Sequence, residues 1–208
     1  MLTLASYPFP LIAILRGLAP DEAPHVGQTL FDCGFRLLEV PLNRPGAFDA
    51  IRALKNIAPS DALVGGGTVL TVKDVDAIAD AGGQLSVSPN CEPEVIRHAV
   101  DRGMLALPGV ATPSEAFRGL AAGAQGLKLF PAEMITPPVV KALRSILPVE
   151  ALLLPVGGIA PENMAAYMEA GANGFGIGGQ LYKPGIEPSA LKRAAEAFML
   201  ARQSILQK

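Results

Sequence analysis

The chain has no tryptophan, only two cysteines and two histidines, and aromatic residues make up 5% of its 208 positions. Cys33 and Cys91 stand far apart with no C-x-x-C spacing, which argues against a disulfide framework or a thiolate zinc site and suits a reducing, cytoplasmic compartment. His25 and His98 are not spaced as a ligand pair, and no Asp- or His-rich cluster offers a catalytic metal its ligands, so no metal is expected. Charge is scarce and nearly balanced: 17% charged residues, a formal net charge of -2 and a pI near 5.7. That gives no basic footprint for nucleic acid or an anionic membrane, so any anionic ligand has to be held locally. The apolar N-terminus MLTLASYPFPLIAILRG lacks a basic leader and is interrupted by Pro8, Pro10 and Arg16. It is read as neither a signal peptide nor a membrane span, which would need about 20 uninterrupted apolar residues.

What is present is glycine, proline and 50% hydrophobic residues, enough for a substantial core. One junction recurs: a small or acidic residue, one more residue, glycine, then an apolar run. It appears at Gly34 before LLEV, Gly82 before LSVS, Gly103 before LALPG, Gly123 before GLKLF and Gly171 before GFGIG. A glycine just past a helix and before a strand is the expected αβ junction. The steps are 48, 21, 20 and 48 residues, and each long step holds a proline-marked junction near its middle, at Pro59 before ALVGGG and Pro148 before ALLLPVGG. Seven junctions imply eight strands, from LIAILRG onward, with an eighth helix over 188–206. Units of this length mean parallel sheet, and eight of them predict a single (β/α)8 TIM barrel spanning 1–208 as one domain. A doubly wound open sheet is the competing architecture, but no G-x-G-x-x-G opens the first helix.

Alternation along each strand sorts residues into inward and outward sets, and barrel chemistry sits at the C-terminal strand ends. On GLKLFP, Leu127 and Leu129 should meet the helices, leaving Lys128 and Phe130 inward. On LLEVPL, Leu38, Val40 and Leu42 face out and Glu39 faces in. Arg16 ends the first strand, Thr68 the third, Ser88 and Pro89 the fourth, Val156 with Gly157 and Gly158 the seventh, and Gly178 with Gly179 the eighth. Lys128 and Glu39 are thus candidate catalytic residues, with a buried structural ion pair as the other possibility. Gly157, Gly158, Gly178 and Gly179 are candidate phosphate-binding positions, because glycine lets backbone N–H groups approach an anion at these loops. Cys91, read as opening the fourth helix beside the rim, has no histidine to act as its base and is set aside.

The segments LIAILRG, LLEVPLN, VGGGTVL, SVSPN, LPGVATPSEA, GLKLFPAE, PVGGI and GIGG, taken together, resemble the class I aldolases that cleave 2-keto-3-deoxy-6-phospho sugar acids. The resemblance covers nearly the whole chain. It implies that Lys128 forms a Schiff base, that Glu39 is the general acid/base, and that Arg16 and Thr68 hold the substrate carboxylate. Pro89, Phe130 and Val156 would complete the pocket, and the four glycines would hold the phosphate. It further implies a homotrimer, no cofactor, and a phosphorylated 2-keto-3-deoxy sugar acid, pyruvate and glyceraldehyde 3-phosphate as the small-molecule partners. Two branches of that family act on epimeric substrates. Asn43 and Val156 resemble the galactonate-derived branch, whereas the gluconate-derived branch carries arginine and threonine there. Gly179-Gln180 departs from relatives that carry a serine able to assist the phosphate. The competing functions are the epimeric 2-dehydro-3-deoxy-6-phosphogluconate / 4-hydroxy-2-oxoglutarate aldolase, a phosphosugar isomerase or synthase with Glu39 as base, and a non-catalytic phosphate-ligand binding barrel.

Overall fold

A computed structural model describes residues 3–207. After a short 3-10 turn at Leu4–Ser6, strands and helices alternate. The first half runs β1 (Leu11–Ile14), α1 (Ala23–Asp32), β2 (Leu37–Pro41), α2 (Ala47–Ile57), β3 (Leu63–Gly67), α3 (Val72–Asp80), β4 (Leu85–Val87) and α4 (Pro93–Asp101). The second half runs β5 (Leu105–Leu107), β6 (Gly109–Val110), α5 (Pro113–Ala121), β7 (Leu127–Leu129), α6 (Pro137–Arg144), β8 (Leu153–Pro155), α7 (Met164–Glu169), β9 (Phe175–Ile177) and α8 (Pro188–Leu206). All eight expected strands and the helix over 188–206 are present. The expected fifth strand is divided in two, because Pro108 has no N–H with which to continue a ladder.

Every strand pairing is parallel. Six strands form one sheet in the order β5-β4-β3-β2-β1-β9, and three form another in the order β6-β7-β8. An isolated parallel bridge between Val156 and Gly176 joins the second sheet to the first, and Gln125 N donates to Ala106 O across the other seam. The fold is therefore parallel α/β with eight α-helices among the described residues. No helix among the described residues is long and apolar enough to cross a membrane.

Helix starts follow from local chemistry. Thr71 and Thr112 each accept from the backbone N–H three residues on, while Asp74 and Glu115 reach back to the cap's own N–H. Proline opens α4, α5, α6 and α8, where its missing N–H has no helical partner to lose. Helix ends obey the glycine pattern: Gly34 and Gly171 both sit at φ 99°, a left-handed conformation that a Cβ penalises.

The strands then separate two cores. Ala13, Leu38, Val40, Val64, Leu127, Leu129 and Ile177 pack into the large cluster with the helices. Ile12, Leu37, Leu63, Leu85, Leu105, Leu107 and Leu154, of the opposite parity, form a second cluster closed by Leu4. Leu154 belongs to the three-stranded sheet and the others to the six-stranded one, so this cluster spans both. Alternation on the sequence thus sorts these residues correctly between the helix layer and the strand interior.

Strand approach is set by glycine at one position in particular. A Cβ on Gly65 of β3 would overlap the backbone carbonyl oxygen of Leu85 on β4, which no rotamer change relieves. Gly65→Ala is expected to destabilise the fold by about 2 to 4 kcal/mol, as overpacking against backbone does. Urea unfolding of the variant checks this, and an unchanged midpoint would show that β3 and β4 separate freely.

Candidate active site

β2 and β7 each deliver one ionisable side chain to the strand interior. Glu39 on β2 is 1% exposed and Lys128 on β7 is 8% exposed; Ser86 and Ser88 are the other buried polar residues among the described ones. Room for Glu39 comes from β3. The missing side chain of Gly67 leaves the space into which its carboxylate extends: a Cβ on Gly67 would overlap Glu39 Oε2. That oxygen is buried and has no hydrogen-bond partner. No ion pair within 4.0 Å links it to Lys128 among the described residues, so the buried structural salt bridge is not formed.

Burial pushes the Glu39 carboxyl up to about 7, against the opposing pull of Lys128 and Arg16. Lys128 moves the other way: burial lowers its pKa, Glu39 opposes that shift, and Arg16 adds to it. Each group therefore feels the other, and Arg16 acts on both. Loss of a solvent shell favours the uncharged form of each, so the amine gains nucleophilic character while the carboxyl titrates near neutrality.

At the C-terminal ends of β1, β7, β8 and β9 opens a cavity of about 290 Å³, which neither Lys128 nor Glu39 lines. It is lined by Arg16, Phe130, Val156, Gly157, Gly158, Gly178 and Gly179, together with Ile14, Gln180, Tyr182 and Lys183 among others. Lys128 connects to it through Phe130, whose ring centroid lies 4.9 Å from Nζ. Seven residues singled out in the sequence thus meet around one opening. Arg16 lies two residues beyond β1 and donates from Nη1 to Asn43 Oδ1 at 3.2 Å.

Thr68 and Pro89 do not line that cavity. Thr68 follows β3 with φ 57°, a left-handed conformation that is strained for a β-branched residue and is held here at the strand's C-terminal end. Its neighbour in the fold, Ser88, donates from Oγ to Val69 O at 2.7 Å, which fixes the loop after β4 against the loop after β3. Cys91 precedes α4, and its Sγ donates to Glu115 O at 3.3 Å; burial pushes the thiol up, opposite to what a reactive nucleophile needs. His98 bonds Asp76 at 2.9 Å on the helix surface, and His25 is exposed.

Sequence reasoning missed Lys183 and the relation of Gly67 to Glu39. Lys183 carries no spacing signal beyond its place in the loop after the last strand. Gly67 was findable: β2 and β3 pair in register with Glu39 opposite Gly65, so the next inward residue on β3 has to leave space for a carboxylate pointing along the strand axis.

The sequence model of the family described as "Aldolase: KDPG and KHG aldolase" matches residues 7–195. The "2-dehydro-3-deoxy-6-phosphogalactonate aldolase" of Escherichia coli (strain K12) is 46% identical over 199 residues, which are 95% of this chain and 97% of the relative. The "Probable 2-dehydro-3-deoxy-6-phosphogalactonate aldolase" of Rhizobium meliloti (strain 1021) is 46% identical over 196 residues, 94% of this chain and 92% of the relative. The solved structure described as "Native KDPGal structure" superposes with a TM-score of 0.94 at 44% identity, covering 97% of this chain and 98% of that one.

The raised Glu39 pKa has a consequence for stability. A carboxyl whose folded pKa lies above its unfolded value of 4.5 stabilises the fold most below 4.5, and that contribution is lost as pH rises toward 7. Glu39→Gln removes the loss. Its stability relative to the unsubstituted protein is expected to improve by about 2 to 3 kcal/mol between pH 5 and pH 8. Urea melts at intervals across that range test it, and parallel pH profiles would contradict the assigned titration.

Proposed function

The chain belongs to the KDPG and KHG aldolase family, and we propose on that footing that it is a Schiff-base (class I) aldolase. Its substrate is 2-dehydro-3-deoxy-6-phosphogalactonate, and its products are pyruvate and D-glyceraldehyde 3-phosphate. The observation that carries this reading is the buried Lys128 with a lowered pKa, coupled to a buried Glu39 that titrates near 7. An amine whose proton affinity burial lowers and a carboxyl poised near neutrality are the two groups that imine formation and a retro-aldol step require.

Lys128 Nζ attacks the C2 carbonyl, water is lost, and the iminium draws electrons from C3. Glu39 takes the C4 hydroxyl proton, directly or through a water. The C3–C4 bond breaks, its electron pair forms the enamine, and the aldehyde departs as glyceraldehyde 3-phosphate. Protonation at C3 and hydrolysis release pyruvate and return the amine. The imine supplies the electrophile, so the reaction as written uses no cofactor. Arg16 and Thr68 hold the substrate carboxylate, Pro89, Phe130 and Val156 wall the reacting carbons, and Gly157, Gly158, Gly178 and Gly179 hold the phosphate.

The fold that carries this site is read as one closed (β/α)8 barrel, a single domain over 1–208. Three features support closure: β5 and β6 are separated only by Pro108, the Val156–Gly176 bridge spans the other seam, and one apolar cluster draws on both sheets. The resemblance supports a homotrimer in the cytoplasm, and the exposed Met134 and Val149 are apolar surface that such an assembly could cover.

Borohydride reduction in the presence of pyruvate is expected to leave a covalent adduct on Lys128, found by peptide mass mapping, and none in Lys128→Met. An adduct at another lysine, or none where a control aldolase is trapped, would sink the Schiff-base assignment. A phosphosugar isomerase or a binding barrel would give that second outcome.

Epimer choice rests on two relatives at 46% identity named for the galactonate-derived substrate, and on Val156 in the cavity wall. The protein is expected to cleave the galactonate-derived epimer at least about tenfold faster, in kcat/KM, than the gluconate-derived one, a discrimination of roughly 1.4 kcal/mol. Val156→Thr should narrow that ratio by placing a hydroxyl at the wall. A native preference for the gluconate-derived epimer overturns the choice.

A further inference from the structure

We infer that Lys183, which neither motif nor spacing marks, is the charged anchor for the substrate's phosphoryl group. This rests on the reading of the glycine-lined cavity given under Proposed function. Among the described residues, Lys183 and Arg16 are the only charged ones lining that cavity. No ion pair among the described residues includes Lys183.

The chain around it is built to aim it. Leu181 N and Tyr182 N both donate to Gly178 O, at 2.8 and 3.1 Å, and Ile186 N donates to Lys183 O at 3.0 Å. These bonds fold the segment after β9 back on itself, so that a Cβ on Gly179 would lie 3.9 Å from Lys183 Cε. The same segment is fixed to the loop that carries Arg16. Tyr182 is buried and its hydroxyl donates to Glu22 Oε2 at 3.4 Å. Gly17, at φ 79°, has no Cβ and thereby admits Pro184, whose Cγ would be 3.1 Å from one. Two loops that pack against each other thus present two cations to one opening.

The opposite wall shows why neutral amides need this help. A Cβ on Gly157 would overlap Glu133 Oε2, so a carboxylate lies behind one half of the glycine cradle, although it does not itself line the cavity. A like charge beside an incoming phosphate costs on the order of a kcal/mol at a partly solvated site, which neutral amide dipoles have to overcome. Lys183, on the other glycine pair, offsets that repulsion. An ammonium at this position selects for phosphorylated over unphosphorylated substrate without touching the reacting carbons.

The test compares Lys183→Gln and Lys183→Arg with the unsubstituted protein on 2-dehydro-3-deoxy-6-phosphogalactonate and on the same sugar acid without phosphate. Lys183→Gln should lower kcat/KM about 10- to 100-fold for the phosphorylated substrate, as loss of a charge-assisted contact does. It should leave the unphosphorylated substrate within about threefold, and Lys183→Arg should retain most of the discrimination. Equal losses on both substrates, or none on either, overturn the assignment. Calorimetric titration with glycerol 3-phosphate runs in parallel, where Lys183→Gln is expected to weaken binding about tenfold. If the unsubstituted protein cleaves neither substrate, the aldolase reading fails, and the glycerol 3-phosphate titration still decides for or against Lys183.

Discussion

Two ionisable groups share an interior that water does not reach freely, and the rest of the site is arranged around that fact. Lys128 and Glu39 would each cost several kcal/mol to hold charged and unpaired in such a place. They are not drawn into a close ion pair, and Glu39 Oε2 has no hydrogen-bond partner. Burial instead moves the two pKa values toward each other, the carboxyl up and the amine down. Their titrations are then a property of the pair: one shared proton can sit on nitrogen with a carboxylate beside it, or on oxygen with a free amine beside it. The second arrangement carries no charge, which is what a desolvated interior favours. It is also the arrangement in which Lys128 can attack a carbonyl.

Holding such a pair in place is a packing problem as much as an electrostatic one. The lower interior is filled with leucine and isoleucine from strand after strand, capped by Leu4. Nothing there calls for water, so the cluster seals the interior from the N-terminal strand ends. One layer higher the residues change character. Glu39 needs the vacancy at Gly67, and a Cβ on Gly176 would crowd both Val156 and Ile14. Large side chains on one strand meet glycine on another, so the layer stays close-packed while its functional groups keep their directions. A methyl group added at one of these glycines would move the chemistry before it moved the fold.

Much of this was legible from the sequence because it depends on period and punctuation. The recurring glycine placed the αβ junctions, and alternation placed Lys128 and Glu39 on the interior face with Leu127, Leu129, Leu38 and Val40 outside. The Pro108 break was legible in principle but was read through, since a single run LALPG suggests one strand. Sequence reasoning also placed Arg16 and Thr68 together, whereas the glycine-lined cavity includes Arg16 and not Thr68. Loop residues after strands carry no periodicity, so their final positions depend on tertiary contacts such as Tyr182 with Glu22. Lys183 was invisible for the same reason: one lysine in a loop looks like any solvated lysine until the turn from Gly178 aims it.

The division of charge between interior and rim explains how a chain of net charge -2 serves anions at all. The interior pair can be neutral, so it neither attracts nor repels an incoming anion strongly. Arg16 and Lys183 at the mouth supply the attraction, and being outside the buried layer they avoid its desolvation cost. Arg16 has a second effect from where it stands, since its charge depresses the proton affinity of both interior groups. In the proposed reaction the substrate carboxylate neutralises Arg16. Once Lys128 is committed as the iminium, its fixed positive charge favours the ionised Glu39, and compensation of Arg16 offsets part of that pull on the carboxylate's basicity. Glu39 is thus held as a carboxylate at the step in which it has to accept the C4 hydroxyl proton. The free site, with Arg16 uncompensated, favours the unprotonated amine that begins the cycle.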